Sequence, residues 1–392
     1  MSAQRPRLAL IHPWLLASGG SEPVALWAAE EMREDYEVEI LTMGKTGLDE
    51  LNAAYGTSLS EPGVRFVRLP IPRLLRRRGD AWRGIRLARR VRARAAEFDI
   101  LFSAYNVMDF GRPGIQYISD FSFSDPLRRA LMEDARNWRK WFRRAGAARR
   151  GYLALARVLS GQTRNGWRGN LTVANSAWTR DLLSDAFGVQ ATVVFPPVQR
   201  IESPLPWERR ADGFVSIGRL VPEKRVIEMI DILARVRGAS SALVYRIAGR
   251  VPDSSYGRAV ENKTRTAGGW VTLDGPVFGP AKAGQLAGYR YGLAGCLHES
   301  FGIAAAEMVR AGMIVWVPAS GGQTEIVDHP DLIYDDDADA VAKISRVLRD
   351  PARQSALRAH LARQAEKFSV ERFRAGIREA VANFRETHEP RT

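Results

Sequence analysis

Short runs of β-branched and aromatic residues alternate with longer, helix-like stretches through the first half of the chain. This alternation is typical of βαβ units around a parallel sheet. The predicted strands are residues 7–11, 37–41, 64–68, 99–102, 114–118, 171–174 and 191–195. The predicted helices are residues 22–33, 82–97, 126–159 and 178–187. The pattern therefore predicts one doubly wound domain.

A proline-dense passage, Pro196-Pro197 and then 203–206, separates this domain from a second βα series. Strands are predicted at residues 213–217, 243–248, 270–273, 293–297 and 313–317, and helices at 224–235, 256–267, 281–289 and 303–311. The tail, residues 338–385, has a helical pattern. We expect an α/β protein in which two Rossmann-like domains, residues 1–200 and 201–375, face a central cleft, with a C-terminal helix, 376–392, crossing back to the first.

The length of 392 residues suits two cores, and composition narrows the class of protein. The single cysteine, Cys296, excludes an internal disulfide and a cysteine-clustered metal site, which favours a reducing compartment. No apolar run approaches the ~18 residues of a membrane span. His12 and Pro13 interrupt the first apolar stretch, which we interpret as a buried strand rather than a signal peptide. A cytoplasmic protein is expected.

The net charge of +14 is concentrated in two segments of the first half. Residues 73–94 carry +9 and residues 128–157 carry +8, so the rest of the chain is close to neutral. The second segment interleaves its basic residues with Trp138, Trp141 and Phe142. This mixture suits an anionic membrane surface. Nucleic acid and a merely solvated arginine-rich face are the alternatives.

The first candidate motif, Gly19-Gly20-Ser21-Glu22, follows the first strand and begins a helix. Glycine lets the backbone approach a ligand closely, and the first amides of a helix favour an anion. A tight strand-to-helix turn with Ser21 as cap explains the motif equally well.

The second motif runs from Gly218-Arg219 to Lys224, between a strand end and a helix start. Arginine presents a planar fork to phosphate oxygens and lysine presents a movable point charge. The pair suits a diphosphate, and the alternative is a solvated helix start.

The strongest motif places two carboxylates, Glu299 and Glu307, on either side of a strand-to-helix turn. Glu299 can accept hydrogen bonds from hydroxyls of a polyol, and Glu307, in the helix, can accept from a second pair of hydroxyls. Between them, the backbone amides of Phe301, Gly302 and Ile303 can bind a diphosphate. A sugar nucleotide carries its groups in this order. In the alternative, Glu299 is a cap and Glu307 an outward residue.

These motifs resemble those of the retaining glycosyltransferases of family 4, which have the GT-B fold. The resemblance spans roughly residues 7–375 and rests on Gly19–Glu22, Gly218–Leu220, Pro222–Lys224, Glu299–Glu307, Gly321-Gly322 and Glu325–Val327. It implies that Glu299 binds the donor hexose and Glu307 the ribose, while Arg219 and Lys224 neutralise the leaving diphosphate. It also implies an acceptor-side domain at 1–200 and a donor domain at 201–375.

The remaining donor-binding residues that the resemblance implies are Gly19, Gly20, Gly218, Ser300, Phe301, Gly302 and Ile303. Residues 175–180 and 195–198 further resemble the mannosyltransferase branch, which favours GDP-mannose over a UDP-sugar as donor. The implied acceptor is a glycan or a lipid-linked glycan. Neither a cofactor nor a metal ion is expected. The protein would be cytoplasmic, and peripheral on the inner face of the membrane if the basic segments bind it.

One position departs from the family. Many members have a histidine where this chain has Ser119 and Asp120. Asp120 is therefore a catalytic candidate, and a helix cap is its alternative role. Two other functions stay open: a non-catalytic protein that binds a polyanion or nucleic acid on a degenerate transferase fold, and a sugar-nucleotide epimerase. Among the candidate partners of the chain, nucleic acid is the less expected.

Overall fold

The computed structural model of the protein describes residues 5–17, 19–44, 46–61, 63–69, 80–131, 147–201, 205–238 and 242–388. The described chain forms two compact units. The first unit contains the described residues up to Pro197 together with the last helix, from Val370. The second runs from Val198 to Ser369. The sequence analysis places these two boundaries at 200 and 375.

Seven parallel strands form the sheet of the first unit, in the order β3-β2-β1-β4-β5-β6-β7. They are β1 (Arg7–Ile11), β2 (Glu37–Thr42), β3 (Val64–Arg68), β4 (Ile100–Ser103), β5 (Ile115–Ile118), β6 (Leu171–Ala174) and β7 (Thr192–Val193). The strand order reverses between β1 and β4. In doubly wound sheets, ligands bind at the carboxyl ends of the strands at such a point.

Within the described residues, six α-helices precede the linker and the last helix of the chain also belongs to this unit. They are α1 (Glu22–Met32), α2 (Leu48–Tyr55), α3 (Asp80–Ala93), α4 (Asp125–Leu131), α5 (Ala147–Ser160), α6 (Ala177–Phe187) and α14 (Val370–His388). Alternation along β1 shows how the sheet is covered. Leu8 and Leu10 belong to the core beneath α1 and α14, whereas Ala9 and Ile11 belong to the core beneath α3.

The second unit repeats this design with six parallel strands in the order β10-β9-β8-β11-β12-β13. They are β8 (Ala211–Ile217), β9 (Val244–Ala248), β10 (Val271–Gly275), β11 (Tyr289–Leu293), β12 (Ile314–Pro318) and β13 (Ile333–Tyr334). Its helices are α7 (Val226–Arg237), α8 (Ser255–Thr266), α9 (Gly279–Gly288), α10 (Ile303–Arg310), α11 (Thr324–Val327), α12 (Asp337–Leu348) and α13 (Pro351–Ala365). The order reverses between β8 and β11, so these two strand ends lie side by side.

The sequence prediction for β11 is wrong in position. It put a helix up to residue 289 and a strand at 293–297, whereas the strand is Tyr289–Leu293. Tyr291 is buried against Phe214 and Trp316, with ring centroids 5.2 and 6.0 Å away. The apolar residues beyond Leu293 lie in the loop that leads to Glu299.

Two further differences concern helices and strands. The single helix predicted at 126–159 is represented by α4 and α5, and residues 132–146 between them lie outside the described chain, together with Trp138, Trp141 and Phe142. The prediction omitted α2, α11 and β13, which are only eight, four and two residues long. None of the helices in the described ranges has the length and apolar content that crossing a bilayer requires.

Candidate functional site

The candidate donor residues of the second unit lie where β8 and β11 end. Gly218-Arg219 follows β8, and the loop after β11 carries Cys296 and Glu299. β8 and β11 pair directly, so the two loops emerge at the same edge of the sheet. Gly218 has a φ of +144°, a conformation that favours glycine. The structure thus brings together two motifs that are far apart in sequence.

Lys224 and Glu299 form an ion pair, in which the ammonium donates to Oε2 of Glu299. Burial alone would raise the pKa of Glu299, but the Lys224 charge and hydrogen bond, with smaller contributions from Cys296 and Arg219, lower it. The same pairing raises the pKa of Lys224 despite its burial. Both groups therefore stay charged at neutral pH. Burial, together with the Glu299 charge, raises the pKa of the Cys296 thiol to about 11, so the thiol stays neutral beside them.

Arg219 is exposed, and its guanidinium makes no ion pair or hydrogen bond with the residues that the structure describes. Its charge nevertheless lowers the pKa of Glu299. An exposed guanidinium beside a paired lysine can bind an anionic group without first breaking a contact.

The backbone of Glu299 is held by the loop before α11. Glu299 forms a parallel bridge with Gly321, and the amide of Gly322 donates to its carbonyl oxygen at 2.8 Å. A Cβ on Gly321 would come within 2.4 Å of the Glu299 carbonyl oxygen, and the φ of Gly321 is +84°. Gly321-Gly322 therefore holds Glu299 in place by a close backbone approach.

We expect Gly321→Ala to lower the free energy of unfolding by roughly 2–4 kcal/mol, because strain at positive φ adds to the backbone clash. Gly268→Ala is the matched control: its φ is +82°, but nothing lies within 4 Å of the added Cβ. The control should lose only ~1–2 kcal/mol. Urea unfolding of both variants measures the difference. Equal losses would show that strain alone matters and that the approach to Glu299 does not.

The start of α10 lies directly after Glu299. Gly302 is its N-cap with a φ of +104°, and Ile303 is its first residue. Phe301 is only 1% exposed and packs edge-on against Phe368, with ring centroids 5.5 Å apart. Its side chain therefore anchors the loop in the core, and only its backbone is suited to a ligand. Amides in the first turn of a helix have no intrahelical acceptor.

Glu307, in the second turn of α10, pairs with a lysine that the sequence analysis missed. Nζ of Lys282, on α9, lies 2.7 Å from Oε1 of Glu307. The two side chains are 30% and 22% exposed. Lys282 occupies an ordinary helix position, and nothing in the sequence around it signals this contact. Each of the two candidate carboxylates thus has its own lysine.

In the first unit, Gly19-Gly20 precedes α1, as the sequence predicts. The structure adds a local reason for Gly19: a Cβ there would overlap the carboxylate of Glu22, at 1.9 Å. Glu22 is buried, which raises its pKa, and it accepts a hydrogen bond from the Ser21 amide at 3.0 Å. Nε2 of His12, at the end of β1, lies 3.2 Å from the Ser21 hydroxyl. Burial lowers the pKa of His12 to about 3, so the ring is neutral.

Asp120 follows β5 and is held by a hydrogen-bond network. Its Oδ2 accepts from the hydroxyl of Tyr105 at 3.1 Å, and its Oδ1 accepts from Nδ2 of Asn106 at 2.7 Å and from the amide of Ser122 at 2.8 Å. Because α4 begins only at Asp125, Asp120 caps a turn and not a helix. Tyr105 and Asn106 follow β4. A search for polar residues directly after each predicted strand, where the other motifs lie, would have found them.

No group of three or more histidine, cysteine or carboxylate side chains that could hold a metal ion occurs among the residues that the structure describes.

Residues 19–198 match the family model of the glycosyl transferase 4-like domain. No curated protein matches the sequence. The fold resembles WaaG, a glycosyltransferase involved in lipopolysaccharide biosynthesis, with a TM-score of 0.71, 12% identity and coverage of 98% of this chain and 100% of WaaG. It also resembles Anabaena HepE in complex with UDP and glucose, with a TM-score of 0.68, 16% identity and coverage of 96% and 100%.

Sucrose-phosphate synthase from Thermosynechococcus elongatus is similar as well, with a TM-score of 0.70, 14% identity and coverage of 98% of this chain and 100% of the synthase. The predicted GT-B fold with two Rossmann-like domains is confirmed, and so is the resemblance to family 4.

Proposed function

We propose, from the premise that this chain is a family-4-like glycosyltransferase with the GT-B fold, that it moves a hexose from a nucleotide diphosphate sugar to a glycan or lipid-linked acceptor with retention. The observation that carries the proposal is the charge arrangement of the second unit. Arg219, Lys224 and the start of α10 adjoin one carboxylate, Glu299, while a second carboxylate, Glu307, lies further along the helix. This arrangement matches the hexose, diphosphate and ribose of a sugar nucleotide.

In the proposed reaction, the bond between the hexose anomeric carbon and the diphosphate oxygen breaks as the acceptor oxygen attacks from the same face. Arg219 and Lys224 stabilise the charge on the departing diphosphate, which takes the acceptor proton. Glu299 orients the hexose through its hydroxyls. When the diphosphate binds, Lys224 can serve both the phosphate and Glu299, since an ammonium has three donors.

GDP-mannose is the donor that we favour, because residues 175–180 and 195–198 resemble the mannosyltransferase branch. HepE has been crystallised with UDP-glucose, which makes UDP-glucose the second donor to test. We place Asp120 on the acceptor side, as the carboxylate that takes the position of the family's usual histidine. Its three hydrogen-bond donors hold it in one orientation at the carboxyl edge of the sheet.

A thermal-shift screen with GDP-mannose, UDP-glucose, GDP and UDP tests the proposal. A ligand at 100 times its dissociation constant should add ~2.7 kcal/mol to the free energy of unfolding. ADP-ribose, which carries a diphosphate without a hexose, is the matched control ligand. Stabilisation by a sugar nucleotide supports the proposal, whereas no response to any of the four ligands contradicts it.

The basic segments of the first unit support a membrane-bound acceptor. On α5, Val158 is 77% and Leu155 51% exposed, and α5 packs on α3, whose Arg86, Arg89 and Arg90 are exposed. Apolar and basic side chains on adjacent helices favour an anionic bilayer. The aromatic residues on which the sequence hypothesis rested, at 138–142, lie outside the described residues.

We expect the protein to sediment with vesicles rich in anionic lipid at low salt and to be released at 1 M salt, where the Debye length falls to ~3 Å. Leu155→Ser with Val158→Ser should weaken binding about tenfold, because apolar area is lost from the interface. Leu205→Ser is the matched control, an exposed leucine of the second unit. Unchanged sedimentation of the double variant would contradict this part of the proposal.

A further inference from the structure

Glu307, the carboxylate proposed to bind the ribose, forms one ion pair, with Lys282. The proposed reaction gives Lys282 no role. Lys282 lies in the second turn of α9 and reaches across to α10. Within the described chain, Glu307 forms no other ion pair or side-chain hydrogen bond, and Lys282 forms none besides this one. The ion pair links two helices of the second unit, α9 and α10.

The geometry of the contact leaves half of the carboxylate available. Lys282 lies 2.7 Å from Oε1, whereas Oε2 forms no ion pair or hydrogen bond with the described residues. A carboxylate offers about four acceptor positions, so Oε2 and the second position of Oε1 can still accept. Vicinal hydroxyls, such as those at the 2′ and 3′ positions of ribose, need two such acceptor positions.

A free glutamate side chain samples many rotamers, and ordering it on binding costs about 0.5–1.5 kcal/mol. The ion pair with Lys282 removes part of this freedom before the ligand arrives. Both side chains are about a quarter exposed, so the pair contributes little to folding stability. Its effect should appear in ligand recognition rather than in stability.

We propose that Lys282 is a positioning residue that holds Glu307 ready for the two ribose hydroxyls and so makes the site selective for a ribonucleotide. This inference rests on the proposed function, since it assumes that a nucleotide binds at this site. Lys282 acts through Glu307 and does not touch the nucleotide. Its removal should therefore affect only the recognition of the ribose hydroxyls.

The test measures dissociation constants by calorimetry for GDP and UDP and for their 2′,3′-dideoxy forms. Lys282→Met should weaken the binding of the preferred ribonucleotide about 2- to 10-fold and leave the binding of the dideoxy form unchanged. Lys282→Arg, which keeps a cationic donor, should restore most of the affinity. In a Glu307→Gln background, Lys282→Met should have no further effect. In turnover, the donor KM should rise while kcat stays within about twofold.

Lys263→Met is the matched control, because Lys263 also joins two helices through an ion pair, with Asp231. It should bind both nucleotide forms like the wild type. An equal loss for the ribose and dideoxy forms would show that Lys282 contacts the phosphates or the base, and would overturn the inference, as would no loss at all. If the wild type binds neither GDP nor UDP, the proposed function fails first, and this inference fails with it.

Discussion

Replacing Glu299 by alanine is expected to lower kcat about 10²- to 10³-fold while changing the donor dissociation constant much less. In the proposed reaction Glu299 orients the hexose, so its loss should act mainly in the transition state. The Lys224 ammonium also loses its carboxylate partner and is free to shift on the diphosphate. Initial rates over a range of donor concentrations separate the two constants.

Glu261→Ala is the control for this variant, because Glu261 is an exposed glutamate on α8 without a role in the proposed site. It should retain wild-type rates. Wild-type turnover in Glu299→Ala would remove the hexose role from Glu299 and with it the assignment of the site.

Replacing Arg219 by methionine should lower kcat/KM about 10²-fold, because one of the two cations proposed to stabilise the leaving diphosphate is lost. Arg219 has no ion-pair partner among the described residues, so the variant leaves no orphaned charge. We therefore expect its free energy of unfolding to stay within about 0.5 kcal/mol of the wild type. Arg219 is for this reason a cleaner probe than Lys224, whose removal leaves Glu299 unpaired.

Arg235→Met, on the exposed side of α7, is the matched control and should change neither activity nor stability. A thermal melt and a rate measurement on the same preparations decide the matter. If Arg219→Met lowers activity only in proportion to a loss of folded protein, the diphosphate role is wrong.

The doubly wound fold could be predicted from the sequence because strands and helices differ in their hydrophobic periodicity. A proline-rich segment also separates the two series of strands and helices. The pairing of Lys224 with Glu299 was not predicted, although the position of both motifs after strands was. Both motifs were placed after strands, and a doubly wound order brings the first and fourth strands of a domain together. What the sequence did not contain was the contact itself.

The error at β11 has a tertiary cause. Arg290 is a charged residue within the strand, and its guanidinium lies over the ring of Trp207, 5.5 Å from the centroid, and donates to the Trp207 carbonyl oxygen. Arg290 and Trp207 are 83 positions apart in the sequence, and their contact half-buries the charged Arg290 side chain within the strand. Local periodicity cannot register such a contact.

Lys282 was missed for a similar reason. Its partner is 25 positions away on another helix, and an isolated lysine on a helix is an ordinary surface residue in sequence. Asp120 was found, but its role could not be chosen between cap and catalytic group. Tyr105 and Asn106, which hold it, come from a neighbouring strand end.

The proposed hexose-binding role of Glu299 can be measured as the ratio of dissociation constants for GDP and GDP-mannose, and for UDP and UDP-glucose, in the wild type and in Glu299→Ala. We expect the wild type to bind one sugar nucleotide more tightly than the corresponding diphosphate and Glu299→Ala to lose this preference. A preference that survives in Glu299→Ala, or its absence from the wild type for both pairs, would show that Glu299 does not bind the hexose.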